Sequence, residues 1–207
     1  MEPSPFAPDL LFDIGPVPIS RPVVTTWVIM AAMTAISWLG LRRASVRAGA
    51  LQAALEIVVE ALAKQVREII RRDPWPYLPL LGTLFLFLAF ANLSAVVPGA
   101  KPPTGRIETP AALAALVFLS VHVFGVRSRG LLEYLRRYVE PNPLLLPLNV
   151  LSEITRTFSL MVRLFGNVMS HELVIAIVSV IAGLLLPIPF LLLGAMIGLI
   201  QAFIFMV

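Results

Sequence analysis

Residues 144–182 read LLLPLNVLSEITRTFSLMVRLFGNVMSHELVIAIVSVIA. As one continuous helix this stretch would run about 58 Å at about 1.5 Å per residue. A bilayer's hydrocarbon core is only about 30 Å thick, so such a helix must tilt, bend or extend well out of the membrane. Its polar residues are not scattered. At about 100° per residue, Asn149, Ser152, Glu153, Arg156, Ser159, Arg163, Asn167, Ser170 and His171 fall within an arc of roughly 120°. Glu172 lies off that stripe, and the remaining surface is mainly Leu, Val, Met, Ile and Phe. One face therefore meets something other than lipid tails.

Arg163 is the member of this stripe that burial physics resists most. Its flanks, FSLMV before and LFG after, contain no acid. An arginine at mid-bilayer costs about 2.5–3.5 kcal/mol on insertion scales and more than about 10 kcal/mol in simulations of isolated helices. Guanidinium cannot lose its proton to escape that cost. Snorkelling to an interface works near helix ends, and Arg163 is equidistant from Leu144 and Ala182. Two readings stand: an ion-handling charge, or a cation paired with an acid on a neighbouring span. Glu153 and Arg156 are i,i+3 partners that can neutralise each other. His171 and Glu172, beside Asn167 and Ser170, could carry protons along a hydrated path or mark helix-end polarity.

The rest of the chain supplies further spans. Its 207 residues are 58% hydrophobic and 14% charged, with mean hydropathy +0.91, whereas soluble domains carry about 25% charged residues. Runs long enough to cross a bilayer lie at 23–41, 77–97, 110–126 and 184–207, with Pro187 and Pro189 at the entry of the last. Between the first two, Leu51, Leu55, Val58, Val59, Leu62, Val66 and Ile69 recur at three- and four-residue spacing, with Glu56, Glu60, Lys64, Glu68 and Arg71 opposite. That pattern predicts an amphipathic helix over 50–72, lying on a membrane face or against a partner.

The expected fold class is all-α and membrane-integral: five transmembrane passes plus the amphipathic helix, the last two membrane helices long and tilted. In order these are a tail (1–22), a span (23–41), the amphipathic helix (50–72), a span (77–97), a loop (98–109), a span (110–126), a loop (127–143), the long helix (144–182) and a final span (184–207). Arginines and lysines crowd the segments after the first and third spans, while the N-terminal tail has only Arg21 against Glu2, Asp9 and Asp13. The positive-inside rule then puts the N-terminus and the 98–109 loop outside, and the C-terminus in the cytoplasm.

Several function classes are excluded or disfavoured. The net charge of +4 and pI near 10.1 do not indicate nucleic-acid binding, because the basic residues flank apolar spans. With no cysteine there are no disulfides and no thiolate metal sites. The start, MEPSPFAPDLLFDIGPVP, lacks a basic region before an apolar core and does not read as a signal peptide. No Gly-x-x-x-x-Gly-Lys-Ser/Thr loop is present, so ATP chemistry is not expected here. Neither a cofactor nor a metal is expected.

The last span places Gly194, Gly198 and Gln201 on one helical face. Gly-x-x-x-Gly usually marks close helix packing, and Gln201 in so apolar a run should face a polar partner. Asn92 and His122 are lone polar residues in their spans, for which structural hydrogen bonding is the simpler reading.

Taken together, SLMVRLFGNVMSHEL around Arg163 and IQAFIFMV at the C-terminus closely resemble the a subunit of the membrane (Fo) sector of F-type ATP synthases. VVTTWVIM and PLNVLSEI also fit, so the resemblance covers most of the chain. It implies a subunit that borders a rotating ring of c subunits, contacts peripheral-stalk b subunits and lipid, and resides in a bacterial inner membrane. Two offset aqueous half-channels would carry protons, or sodium ions in some relatives, to and from the ring carboxylates. Arg163 matches the family's essential arginine. Glu172, with His171 beside it, matches the outer half-channel relay, and Asn167, Gln201, Ser159, Ser170, Asn92 and Glu108 correspond to polar positions near the ion path.

The sequence also departs from the family. Many relatives have a small residue where His171 stands, and some have a histidine or acid where Gly194 stands. Ala95 replaces an acid found in others, leaving Glu108 as the main acid of the 98–109 loop, and relatives generally continue a turn or more beyond Val207. Outside this family, an independent transporter would be expected to show internal repeats, and none is visible. An intramembrane hydrolase built on Ser159 or Ser170 with His122 or His171 lacks any fixed nucleophile–base spacing.

Overall fold

The computed structural model describes residues 10–14, 17–42, 49–71, 73–97, 101–139, 143–183 and 186–206. Expectations that rest on the tail before residue 10, on Arg43, Arg47 and Arg72, on Pro98 and Gly99, or on Leu184 and Val207 lie outside those residues. The fold is helical apart from a small antiparallel hairpin. Strands β1 (Leu10–Ile14) and β2 (Val17–Ser20) pair in the register Leu10↔Ser20 to Ile14↔Val17. Seven α-helices follow: α1 (Arg21–Leu41), α2 (Ala50–Ile70), α3 (Leu78–Leu93), α4 (Glu108–Arg129), α5 (Leu131–Val139), α6 (Leu146–Ala182) and α7 (Pro187–Met206). Five of them, α1, α3, α4, α6 and α7, are long and apolar enough to cross a membrane.

Helix formation follows from the solvent. In hydrocarbon every backbone N–H and C=O must be satisfied within the segment, and the helix achieves this. Hydroxyls in the spans follow the same rule. Thr25, Thr26 and Thr34 in α1, Thr83 in α3 and Ser120 in α4 donate to carbonyls four residues back, at 2.6–3.1 Å. Proline opens α1, α3 and α7, where its missing N–H costs nothing. Two glycines occupy left-handed backbone at helix ends. Gly183 (φ +71°) ends α6, and Gly130 (φ +85°) is the single residue between α4 and α5.

Two compact units arise. One comprises residues 1–103 and 171–207, the other residues 104–170. In the first, α3 packs mainly on α7, and α1 and α2 pack on α3. Leu62 and Val66, one turn apart on α2, enter a small apolar core with Leu78 of α3 and Met206 of α7. Elsewhere on α2, Leu51, Ile57 and Ile69 stay exposed. On α1, Trp27, Met30 and Leu39 are exposed, as on a lipid-facing helix. At its end the Arg42 guanidinium lies 4.7 Å above the Trp38 ring, a cation–π pair typical of a membrane boundary.

The second unit holds a feature that reading by charge alone misses. The 127–143 segment, expected as a loop, contains α5. Its arginines conceal an amphipathic period in LLEYLRRYV. Tyr134 is buried against α4, where a Cβ on Gly125 would overlap its ring. Its ring also meets His122 edge-on at 5.8 Å, and its hydroxyl lies 2.9 Å from that of Tyr138. Glu108, expected in the preceding loop, is instead the first residue of α4, where a carboxylate is favoured by the helix dipole.

Candidate functional site

The long helix α6 carries 37 residues without interruption, which corresponds to about 56 Å. Arg163 stands near its middle, and its side chain is exposed. Leu164 and Val168, one turn apart on an adjacent side of the helix, are buried. Among the described residues of Arg163's own unit, no carboxylate pairs with it. Ser152, Arg156, Ser159, Asn167 and Ser170 are also exposed. The polar stripe thus faces outward over several turns.

Gly166 lies one turn beyond Arg163, and a Cβ placed there would meet nothing within 4 Å. A glycine inside a helix costs about 0.8–1.0 kcal/mol relative to alanine, and no packing among the described residues explains it. Bare backbone beside an exposed cation lets another helix approach closely.

Two stripe residues turn to structural partners. Asn149 donates from Nδ2 to the carbonyl of Tyr138 at 3.0 Å and so ties α6 to the end of α5. His171, at the other end, places Nε2 2.5 Å from the carbonyl oxygen of Phe190 on α7. A carbonyl only accepts, so Nε2 carries the hydrogen, and in the neutral ring Nδ1 is left as the proton-accepting nitrogen. This contact exists because residue 194 is glycine, since any Cβ there would overlap the imidazole. Phe190 and Gly194 are one turn apart, so the ring lies across a bare patch of α7.

The second glycine of that pair serves α3. A Cβ on Gly198 would come within 2.6 Å of Asn92 Cβ. Asn92, 4% exposed, donates from Nδ2 to the Gly198 carbonyl at 2.9 Å. Gln201, next along the same face of α7, is 2% exposed. Buried amides this deep in apolar surroundings are tolerated only with hydrogen-bond partners, and the glycine-faced helix gives Asn92 access to backbone. Glu172 is exposed, and Lys101, at the end of the segment following α3, is close enough to act on it electrostatically.

The structure therefore collects His171, Gly194, Asn92, Gly198 and Gln201 in the unit formed by residues 1–103 and 171–207, with Glu172 nearby on α6. It sets Arg163, Ser159, Asn167, Ser170 and Glu108 in the other. The Phe190 carbonyl and Lys101 were not singled out from sequence. A main-chain acceptor has no sequence signal of its own, although Gly194 four residues on was a hint. Among the described residues no cluster of His, Asp and Glu could hold a metal ion.

Comparison with known proteins bears on the whole chain. Residues 23–207 match the family described as ATP synthase A chain. Over all 207 residues the chain is 57% identical to ATP synthase subunit a 2 of Bradyrhizobium sp. (strain BTAi1), covering 93% of that protein. It is 46% identical over 195 residues, 94% of this chain and 86% of the relative, to ATP synthase subunit a 2 of Pelobacter propionicus. It is 43% identical over 198 residues, 95% of this chain and 88% of the relative, to ATP synthase subunit a 1 of Chlorobaculum parvum.

Proposed function

The chain belongs to the ATP synthase A chain family, and from that premise we propose that it carries protons through two half-channels at the surface of a rotating c-ring. Membership already implies a multi-pass membrane subunit, ion translocation in the Fo sector and assembly with other Fo subunits. The finer reading assigns Arg163 the central role. A fixed guanidinium in a low-dielectric site holds a passing ring carboxylate in its ionised form, so that the carboxylate cannot keep its proton as it passes. Protons then cannot run straight from one half-channel to the other. One elementary charge moving through 100 mV is worth about 2.3 kcal/mol, and this contact turns that energy into rotation.

The observation that carries the proposal is the exposed Arg163 in mid-helix, with no acid among the described residues of its own unit paired to it and the open backbone of Gly166 one turn away. A mobile acid on a neighbouring ring is the partner that fits. Glu172 is the relay of the outer half-channel. The electrostatic influence of Lys101 on its carboxylate supports placing it toward the face reached by the 98–109 loop. His171 joins Glu172 in that relay, with Nδ1 as its proton acceptor, and Asn167, Gln201, Ser159, Ser170, Asn92 and Glu108 are each assigned a channel-lining role. The subunit resides in a bacterial inner membrane with the N-terminus outside and the C-terminus in the cytoplasm, and it also contacts peripheral-stalk b subunits.

The test is direct. Arg163→Ala should abolish coupled proton transport, and ATP-driven pumping at the normal level in that variant would end the proposal. The chain has no cysteine of its own, so Ser159→Cys gives one defined cross-linking position on this face. It should bond to a cysteine placed beside the ring carboxylate of a co-purified c subunit. Sodium-dependent protection of that carboxylate from carbodiimide would replace the proton with sodium.

A further inference from the structure

Helix α5 has an apolar side that no described residue of its unit covers. Leu131, Leu132 and Leu135 are 62%, 86% and 53% exposed. The helix cannot roll to bury them, because three attachments fix its orientation. Gly130 joins it to α4, with its N–H on the Val126 carbonyl. Tyr134 is buried against Gly125 and His122. The carbonyl of Tyr138 accepts from Asn149. Tyrosines face α4, and the leucines face away.

The same attachments set the depth of α5. It starts one residue after α4, a span of 22 residues, and folds back along it. Tyr134 reaches α4 at Gly125 and His122, roughly 6–10 Å before the span's end at Arg129, at about 1.5 Å per residue. Interfacial helices bury their apolar face about 5–10 Å into the boundary between headgroups and acyl chains. In a membrane whose boundary lies near Arg129, leucines beside Tyr134 would meet acyl chains and not bulk water. Around them the charge is positive. Residues 127–139 hold four arginines and one glutamate, and Arg127 and Arg136 are exposed. Leu144, 81% exposed, and Leu148 continue the apolar surface into the start of α6.

We propose that α5 is an interfacial helix that binds anionic phospholipid, with Leu131, Leu132 and Leu135 among the acyl chains and Arg127 and Arg136 facing the acidic headgroups. Lipid fits better than a protein partner because α5 is held by Tyr134 against the last two turns of a membrane span and the charge around it is mainly positive. This site is separate from the role assigned to Arg163, and its test does not depend on ion transport.

The test places a bimane label on Leu132→Cys in the complete complex, reconstituted into vesicles of phosphatidylglycerol and phosphatidylcholine, with the unsubstituted complex as labelling control. Bromines near the top of the acyl chains should quench the label more than bromines near the bilayer centre, and aqueous iodide should quench it weakly. Brominated phosphatidylglycerol should quench more than brominated phosphatidylcholine, since each arginine near an acidic surface favours binding roughly five-fold. Arg127→Gln should lower that preference several-fold, and Arg136→Gln provides an independent second variant. Strong iodide quenching without bromolipid quenching would put α5 in water and overturn the proposal. Shielding from both quenchers would show a protein cover and overturn it as well. Equal quenching by the two headgroups would overturn its anionic part.

Discussion

Gly194→Ala adds a single methyl, and the structure assigns it a sign and a size. The new Cβ would occupy the space of the His171 imidazole, so the ring must leave its place on α7. Overpacking of this kind costs about 1–3 kcal/mol. Displacing the ring also breaks the bond from Nε2 to the Phe190 carbonyl, worth about 0.5–1.5 kcal/mol. Against this, alanine is favoured over glycine inside a helix by about 0.8–1.0 kcal/mol. The net expectation is a loss of roughly 0.5–3.5 kcal/mol. In a His171→Ala background the overlap and the hydrogen bond are both gone, and only the propensity term remains. There Gly194→Ala should be neutral or stabilising by up to about 1 kcal/mol. The assay is a double-mutant cycle on the thermal dissociation of the subunit from the purified complex, run alongside ATP-driven proton pumping. If Gly194→Ala were as damaging without the imidazole as with it, the packing argument would be refuted.

The other expectations use the same contacts. Gly198→Ala should lower stability by about 1–3 kcal/mol through overlap with Asn92 Cβ, and Asn92→Gly, which removes that Cβ where Asn92→Ala would keep it, should relieve most of the overlap in the same thermal assay. Gly125→Ala should expel Tyr134 from α4, measurable as faster proteolysis at 127–143, with Gly125→Ser at least as harmful. Glu172→Gln should slow ATP-driven pumping less severely than Arg163→Ala, and an equal or greater loss would reverse the order of their importance.

Fold class was legible because hydrocarbon imposes so few solutions. A run such as Leu78–Leu93 has no polar way to be anything but a spanning helix, and the 3.6-residue period of α2 showed through its charges. The glycines at 194 and 198 pointed to close packing for the same reason. Other features depend on what is brought together in space. The β1–β2 hairpin joins two short runs, LLFDI and VPIS, too brief to show a period, and their local cue is Gly15-Pro16 between them. Helix α5 was hidden because four arginines in thirteen residues read as a loop until Tyr134 is seen to bind α4. Arg163 could be singled out as an isolated charge, but its outward direction required the packing of Leu164 and Val168. That His171 spans to the Phe190 carbonyl could not be read at all, since the acceptor is backbone nineteen residues away and the permission is a methyl absent at Gly194, one turn beyond Phe190 on α7.

The uninterrupted α6 restricts how genes for such a chain can change length. A residue inserted between Ser159 and Asn167 would turn everything downstream by about 100° and shift it by about 1.5 Å, carrying one part of the polar stripe away from the other. Insertions and deletions should therefore be confined to the connections, such as 98–107 and 140–145, while the helix changes only by substitution.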